Sequence, residues 1–253
     1  MLEELQQLYT NLLAGDAGAI LALFPGEPHI DTPLDGATRG EAAVRAFVAR
    51  QAVWLAERHA APRLLHTIDT PARAVVELVL DMEQDGDRID LPVGLVADRQ
   101  GEGFSAVRVY HSTWPLTGGH RVRPPLLEPP LTRLEEPPAV EAYMAALRDG
   151  SAPLILSLFT PDGYVRQPSG DRFRHAGPEG LPHFYVPALA AGGISLVHCT
   201  ATSDGRSVAI EFIVDRWGNV ALPLQAGLAV YDLAGDRLAA ARIYDDVDPP
   251  MEG

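Results

Sequence analysis

The sequence repeats itself at an offset of about 135 residues. The segment LLAGDAGAILALF at 12–24 matches ALRDGSAPLILSLF at 146–159, and five further blocks match in the same order. Phe24 and Phe159 are 135 positions apart, and Glu77 and Glu211 are 134 apart. A period of this length is too long for a solenoid but fits a whole small domain. The chain is therefore predicted to contain two copies of one domain.

Prolines crowd the stretch between the two copies. Because proline fixes φ and lacks a backbone N–H donor, we expect neither a helix nor a central strand there. An extended, fairly stiff connector is the expected result. The predicted domains are 1–114 and 137–253, joined by a linker at 115–136. The prolines are Pro115, Pro124, Pro125, Pro129, Pro130, Pro137 and Pro138.

Within each copy, helical patterns come first and strand patterns follow. A broad apolar stripe that includes Phe47 and Trp54 predicts a helix over about 41–58. Helices followed by a run of strands form the α+β pattern. We therefore predict two tandem cone-shaped domains, each a curved antiparallel sheet wrapped over about three helices, with a pocket between sheet and helices. Strands are expected near 64–69, 74–82, 89–97 and 104–111.

Composition disfavours several classes of function. All 20 basic residues are arginine, so the chain has no lysine for a Schiff base, a pyridoxal-phosphate site or a phosphate loop. The formal net charge of −14 disfavours nucleic acid and anionic membranes as partners. Cys199 is the only cysteine, no apolar run could cross a bilayer and the N-terminus carries no basic signal, so we expect a cytoplasmic protein. We expect no cofactor and no metal, since histidines and acids do not stand at ligand spacing.

Three segments of the first copy carry a resemblance to a known family. These are YTNLLAGDAGAILALF at 9–24, RGEAAVRAFV at 39–48 and RVYHS at 108–112. Together with the ending around Tyr244, they resemble the SnoaL-like and ketosteroid-isomerase-like group of the nuclear-transport-factor-two-like superfamily, over both halves. Single-domain relatives pair through their sheets, so the resemblance implies an intramolecular pseudo-dimer, with a higher oligomer possible.

The resemblance also places family site positions on this sequence. Tyr143, seven residues before Gly150, falls where ketosteroid isomerases keep an oxyanion-binding tyrosine. The family's general base would be Gln167, and its protonated aspartic acid would be Gln225 or, in the first copy, a residue near Gly94. An amide cannot abstract a carbon-bound proton, but it can donate hydrogen bonds to an oxyanion. The resemblance thus implies a cluster of Tyr143, Gln167 and Gln225 that polarises a carbonyl, and the second copy is the first choice for the active pocket.

Alternation along the last strands adds candidates for proton transfer. In the second copy Ile243 and Asp245 fall on one face, and in the first copy Val109 and His111 do. A carboxylate or imidazole beside an apolar cavity can act as acid or base. The alternative for Asp245 and His111 is a solvated strand end.

Asp31 is a further candidate in the first copy. It precedes Thr32, the residue at the family's base position, so a one-residue register difference would turn it inward. The alternative is a turn-forming aspartate ahead of Pro33.

Two residue pairs match between the copies and suggest structural roles. His66 and His198 are equivalent when LLHT at 64–67 is aligned with LVHC at 196–199. Glu77 and Glu211 are single charges inside apolar strands, which we expect to face away from the pocket and to pair with arginine across a domain contact. A buried carboxylate is costly unless it is paired.

These observations favour a cofactor-independent isomerase or cyclase acting on a hydrophobic small molecule. The resemblance implies a polyketide or terpenoid intermediate of secondary metabolism. One alternative is a non-catalytic small-molecule-binding or scaffolding module, since the family's signature acids are missing. Another is a hydrolase or dehydratase, which would need His111 or Asp31 to point inward with an acidic partner.

Overall fold

The structure is a computed structural model that describes residues 1–244. The chain forms two compact units, Met1–Gly118 and Gly119–Gly253, here called domain 1 and domain 2. Each domain is described by itself.

Domain 1 begins with helices and ends with a run of long strands. Its elements are α1 (Leu2–Gln6), α2 (Leu8–Ala14), α3 (Ala17–Leu21), β1 (His29–Thr32), β2 (Gly36–Arg39), α4 (Glu41–Glu57), β3 (Ala61–Asp69), β4 (Arg73–Gln84), β5 (Asp87–Gln100), β6 (Gly103–Tyr110) and α5 (Trp114–Thr117).

Domain 2 repeats this order after a connecting segment. Its elements are α6 (Pro138–Asp149), α7 (Ala152–Leu158), β7 (Phe159–Arg166), a 3-10 helix (Asp171–Phe173), β8 (Arg174–Ala176), α8 (Gly177–Ala188), β9 (Ile194–Ser203), β10 (Ser207–Trp217), β11 (Val220–Ala234) and β12 (Arg237–Ile243).

Each domain has a six-stranded sheet, and the strand order is the same in both. The orders are β2-β1-β6-β5-β4-β3 and β8-β7-β12-β11-β10-β9. Neighbouring strands are antiparallel except in the β1–β6 and β7–β12 pairs, which are parallel. The expectation of an antiparallel sheet was therefore wrong at one pair per domain. The meander of β3, β4, β5 and β6 brings β6 beside β1 in the same direction, and the meander of β9 to β12 brings β12 beside β7 in the same way. The tandem α+β fold is confirmed.

Helix α4 shows why the helices of domain 1 pack as they do. Val44, Phe47, Val48 and Leu55 recur at helical spacing and are buried in the core. The sheet strands contribute alternate residues to the same core, so each sheet has an inner face against its helices and an outer face. Helix α2 ends at Gly15, whose left-handed φ of 67° suits a glycine C-cap.

The segment between the domains differs from the expected connector at its start. Trp114–Thr117 is helical although it contains Pro115. Proline is tolerated in the first turn of a helix because the N–H it lacks would have no partner there. Further along, the carbonyl of Arg123 accepts a 2.8 Å hydrogen bond from the Ala226 N–H of β11. This part of the segment is therefore docked on domain 2.

The pairing of the edge strands shows that the two histidines are not equivalent. In β3, His66 lies opposite Glu77. In β10, the equivalent Glu211 lies opposite Thr200, while His198 lies opposite Phe212. The structural counterpart of His66 is therefore Thr200, and His198 corresponds to Leu64. The sequence match failed because it relates the two histidines by 132 positions, whereas the strand pairing follows the offset of 134 that relates Glu77 to Glu211. A bulge lies at the same place in β3 and β9, so it does not shift one copy against the other.

Candidate functional site

The inner face of domain 1 bounds a narrow cleft. Its free volume is about 20 Å³, which is room for about one water molecule. The cleft is reached by residues from both helices and strands, so it lies at the position predicted for the cone's pocket. The apolar lining is Leu8, Leu12, Ile30, Leu34, Phe47, Trp54, Leu80, Leu91 and Val109, and the polar lining is Tyr9, Thr32, Asp35, Gln51 and His111.

His111 follows strand β6 and lies in the wall of this cleft, as the alternation from Val109 indicates. It is 7% exposed. Its Nδ1 lies 3.0 Å from the carbonyl oxygen of Ser112. Because a carbonyl only accepts, Nδ1 carries the hydrogen and Nε2 of the neutral imidazole carries the lone pair. This tautomer is suited to accept a proton at Nε2.

Asp35 and Tyr9 line the same cleft and were missed by the sequence reasoning. Asp35 accepts hydrogen bonds from Arg50 Nη2 at 3.2 Å and Gln51 Nε2 at 2.9 Å, which hold the carboxylate in place. Burial, and then the charge of Asp35, raises the pKa of Tyr9 above its ordinary value. Tyr9 therefore stays a neutral phenol that can donate a hydrogen bond. One sequence signal pointed to Tyr9. It follows Leu8, and Leu8 is equivalent to Tyr143 at the offset of the repeat.

The structure does not place Asp31 in the cleft. Ile30 is buried in the core of domain 1 and Thr32 lines the cleft, so the intervening Asp31 lies on the outer face. It stands directly across from Arg108 on β6. The one-residue shift that would turn Asp31 inward does not occur, because β1 pairs in register with both β2 and β6. The Thr32 hydroxyl accepts the Asp35 N–H at 3.1 Å.

Aromatic side chains pack together in the interior of domain 2. The hydroxyls of Tyr143 and Tyr185 are 3.0 Å apart, and both side chains are at least 97% buried. The Tyr143 ring centroid lies 5.4 Å from that of Tyr231 and 6.2 Å from that of Phe159. Burial, and then Tyr143, raises the pKa of Tyr185 well above its ordinary value. The pair is therefore two neutral phenols joined by a hydrogen bond.

Gln167 has a different neighbour from Tyr143. Its Nε2 lies 3.0 Å from Nε2 of His175, so the amide donates and the imidazole accepts. Burial, and then the charge of His183, lowers the pKa of His175 and favours this neutral form.

Gln225 lies on the inner face of β11. It pairs with Val214 and is 2% exposed, and within residues 1–244 its Oε1 has no hydrogen-bond partner. By strand register its counterpart is Leu91, which pairs with Leu80 in the cleft of domain 1. The expected counterpart near Gly94 was wrong by three residues, since Gly94 lies opposite Glu77 on the outer face. Asp245 lies outside the described residues.

The outer faces of the two sheets carry related ion pairs. In domain 1, Asp98 bonds to Arg108 and, at 2.8 Å, to Arg73. In domain 2, Arg242 Nη2 donates to Asp232 at 2.8 Å, and Ser207 takes the place of the second arginine. Burial acts to raise the pKa of Asp98, but the hydrogen bonds and charges of Arg108 and Arg73 outweigh it and hold that pKa below its ordinary value.

The two buried glutamates lie on the outer faces, as their alternation indicates. Glu77 and Glu211 are at most 2% exposed. The Thr200 hydroxyl donates to Glu211 Oε2 at 2.7 Å. This contact supplies a hydrogen bond of the kind a buried carboxylate requires.

Comparisons with known proteins match one half of the chain at a time. A proposed polyketide cyclase from Sinorhizobium meliloti is similar at 20% identity and a TM-score of 0.37, over 43% of this chain and 94% of that protein. A ketosteroid-isomerase-like protein from Catenulispora acidiphila, in complex with trimethylamine, is similar at 18% identity and a TM-score of 0.39, over 46% and 90% of the two chains. No protein-family model and no curated protein matches the chain.

The two domains share one topology. Helices precede the sheet in each half, and the strand orders are identical. The chain therefore carries two tandem copies of one α+β fold, as the repeat in the sequence predicted. Within residues 1–244, no helix combines the length and apolar character that a membrane span requires.

Proposed function

We propose that the protein is a cofactor-independent isomerase or cyclase that acts on a hydrophobic small molecule in the cleft of domain 1. One observation carries the proposal: a neutral phenol, a carboxylate and an imidazole line one cleft whose other walls are mainly apolar. These groups belong to Tyr9, Asp35 and His111. Titratable groups that converge in an apolar pocket are the usual mark of an active site.

The proposed chemistry is proton transfer next to a carbonyl group. The Tyr9 hydroxyl donates a hydrogen bond to the carbonyl oxygen, and Nε2 of His111 takes a proton from the adjacent carbon. In an isomerase of a β,γ-unsaturated ketone, the protonated imidazole returns this proton to the γ-carbon of the conjugated dienolate, and the double bond moves to the α,β position. In a cyclase the enolate carbon attacks a second carbonyl carbon of the same molecule, and the imidazolium gives its proton to the resulting alkoxide. Asp35 stabilises the transient positive charge on the imidazole.

The substrate class follows from the walls of the cleft. Phe47, Trp54 and Leu80 offer apolar surface to a carbon skeleton such as a polyketide or terpenoid intermediate of secondary metabolism. Since the free volume is small, the half-buried Leu34 and Trp54 move aside when substrate enters. As part of the same proposal, the protein works in the cytoplasm, where the buried Cys199 stays a thiol.

Hydrogen exchange into an enolisable ketone tests the assignment. The full-length protein is incubated with 2-tetralone in D₂O, and deuterium at the α-carbon is followed by NMR. His111→Asn is expected to slow the catalysed exchange about 100-fold, and Tyr9→Phe about tenfold or more. The matched control is His59→Asn, which changes an exposed histidine of the same domain paired with Glu83.

The same experiment separates the two domains. If Tyr143→Phe abolishes exchange and His111→Asn does not, the reaction belongs to the domain 2 set of Tyr143, Gln167, Gln225 and Asp245. Exchange that equals the buffer rate for the unmodified protein contradicts catalysis on this class of probe.

A second candidate function is non-catalytic small-molecule binding or scaffolding. The narrowness of the domain 1 cleft and the aromatic packing in domain 2 favour it. This alternative predicts that a bound ketone raises the melting temperature without any exchange above the buffer rate.

A dehydratase is the third candidate. His111 and Asp35 line one cleft, so an imidazole and a carboxylate are both present there for acid–base chemistry. Release of water from a β-hydroxy ketone, rather than exchange alone, would favour this reaction.

A further inference from the structure

Thr32 is a polar residue of the domain 1 cleft that the proposed mechanism does not use. It is the last residue of β1, is 8% exposed and belongs to the cleft lining on the inner face of the sheet. The preceding residue, Asp31, pairs with Arg108. This register places Thr32 beside Val109, which shares the inner face with His111 two residues further along β6. Thr32 and His111 are therefore neighbours in one wall of the cleft.

The hydroxyl of Thr32 has a hydrogen that the protein does not use. Its oxygen accepts the backbone N–H of Asp35 at 3.1 Å, which fixes the direction of one lone pair. A hydroxyl also has one hydrogen to donate. Among residues 1–244, no acceptor takes this hydrogen. Because buried polar groups are paired in most proteins, this donor calls for an acceptor that enters the cleft.

The hydroxyl of Tyr9 is a second donor in the same cleft. Burial raises the pKa of Tyr9, so the phenol keeps its hydrogen, and across the described part of the chain this hydroxyl has no hydrogen-bond partner. The free space between the walls is only about 20 Å³, so one guest atom contacts groups from several walls at once. The two hydroxyls are thus suited to bond to one oxygen atom of a substrate.

The corresponding donor of domain 2 is already occupied. Gln167 stands at the position of Thr32, at the repeat offset of 135. Its side-chain amide donates to His175 at 3.0 Å. The shared fold therefore does not require an unused donor at this position, and the free hydrogen of Thr32 is a property of the domain 1 cleft.

We propose that Thr32 is a second oxyanion donor in the reaction assigned to this cleft. Its hydroxyl and that of Tyr9 donate hydrogen bonds to the substrate carbonyl oxygen while His111 takes the proton from the adjacent carbon. Thr32 forms no covalent bond and keeps its hydrogen throughout. Its hydrogen bond strengthens as negative charge develops on the oxygen, which lowers the barrier to enolate formation. This inference rests on the proposed function and adds a catalytic residue to it.

Hydrogen exchange into 2-tetralone measures what Thr32 contributes in the full-length protein. Thr32→Val has nearly the same shape without the hydroxyl and should lower kcat about tenfold or more with little change in KM, because the hydrogen bond is strongest in the transition state. Thr32→Ser keeps the hydroxyl and should stay within about threefold of the unmodified protein. The matched control is Thr38→Val, which should change nothing. Thr38 lies on β2, is also 8% exposed and stands outside the cleft lining.

Binding of an enol analogue separates a lost hydrogen bond from a disturbed structure. 2-Naphthol has its oxygen where the enol of 2-tetralone has it, and 2-methylnaphthalene has a methyl group in that place; binding of each is followed by fluorescence. Thr32→Val should weaken 2-naphthol binding about tenfold and leave binding of 2-methylnaphthalene unchanged. If Thr32 served only to hold the chain at Asp35, both affinities would fall together.

The outcomes distinguish this inference from the proposed function. An equal loss of affinity for both probes, or a Thr32→Val exchange rate within about twofold of the unmodified protein, overturns the role of Thr32 and leaves the proposed function in place. Exchange at the buffer rate in the unmodified protein overturns both. If circular dichroism shows that Thr32→Val does not fold, Thr32→Ala takes its place in both measurements.

Discussion

The interiors of the two domains differ although their topologies are the same. At positions where domain 1 has Leu8 and Ala97, strand register and helix alignment place Tyr143 and Tyr231 in domain 2. The ring of Tyr143 packs against those of Phe159, Tyr185 and Tyr231. In domain 1, Leu8 lines the narrow cleft beside His111. Within the described residues, the two interiors therefore differ in side-chain size at a few inner-face positions.

Truncation of Tyr231 makes the interior of domain 2 more like that of domain 1, and it should have the largest effect on stability. Tyr231→Ala copies the residue of domain 1 and removes a ring that is 98% buried. It should cost about 3–5 kcal/mol of the free energy of unfolding of domain 2, from lost burial and the cavity left behind. Calorimetry of the full-length protein measures the loss. Tyr231→Phe, which keeps the ring, is the control, and a loss below about 1 kcal/mol for the alanine variant would contradict the packing described.

Removal of a carboxylate compares the two outer faces. Asp98→Asn leaves Arg108 and Arg73 without their common partner, whereas Asp232→Asn removes the carboxylate from one arginine, Arg242, and from the Ser207 hydroxyl. We expect a loss of roughly 2 kcal/mol for Asp98→Asn and a smaller loss for Asp232→Asn, because both carboxylates are partly exposed. Chemical denaturation monitored by calorimetry and circular dichroism gives both values. Equal losses would mean that Arg73 adds nothing.

The phenol pair of domain 2 offers a milder change. Tyr143→Phe deprives the buried Tyr185 hydroxyl of a hydrogen-bond partner and should cost about 1–2 kcal/mol. The double variant with Tyr185→Phe should lose less than the sum of the single variants, because the two hydroxyls interact. A double-mutant cycle by urea denaturation measures the coupling. Strict additivity would show that the 3.0 Å contact contributes nothing to stability.

The smallest expected effect is on how the stability of domain 1 depends on pH. Burial, and then the charge of Arg39, lowers the pKa of His29 in the folded state. The unfolded chain therefore takes up this proton first as the pH falls below about 6.5, so the contribution of His29 to stability is present above that pH and is lost below it. His29→Gln should make the decline in melting temperature between pH 7 and pH 5 shallower. If melting temperature depends on pH in the same way with and without His29, the lowered pKa of His29 is contradicted.

Much of the fold could be predicted from the sequence because its signals are local or repeated. The apolar stripe around Phe47 predicted α4, and alternation along β6 predicted that His111 faces the interior. The match of His66 with His198 failed because a short local similarity, at an offset of 132, was followed instead of the offset of 134 that the strand pairing keeps. Tyr9 and Asp35 were missed because their convergence depends on which neighbouring side chains are small enough to leave space.

The linker was the hardest part to predict. Its prolines predicted a segment without a helix or a central strand, which was wrong at the short helix Trp114–Thr117. They also carry no information about what the segment contacts. Glu136 reaches His198 across 62 positions of sequence, and the chain folds back to make this contact. Such a long-range pair leaves no periodicity in the sequence.

The docked linker changes where the second half of the protein begins as a folding unit. A fragment started at residue 137, where the repeat begins, would lack the carbonyl of Arg123 that accepts the Ala226 N–H and the carboxylate that holds His198. A fragment started at Gly119 keeps both. A fragment that starts at residue 137 would thus have an exposed edge strand on the side that the linker covers. It would be prone to self-association for a reason that does not apply to the full-length protein.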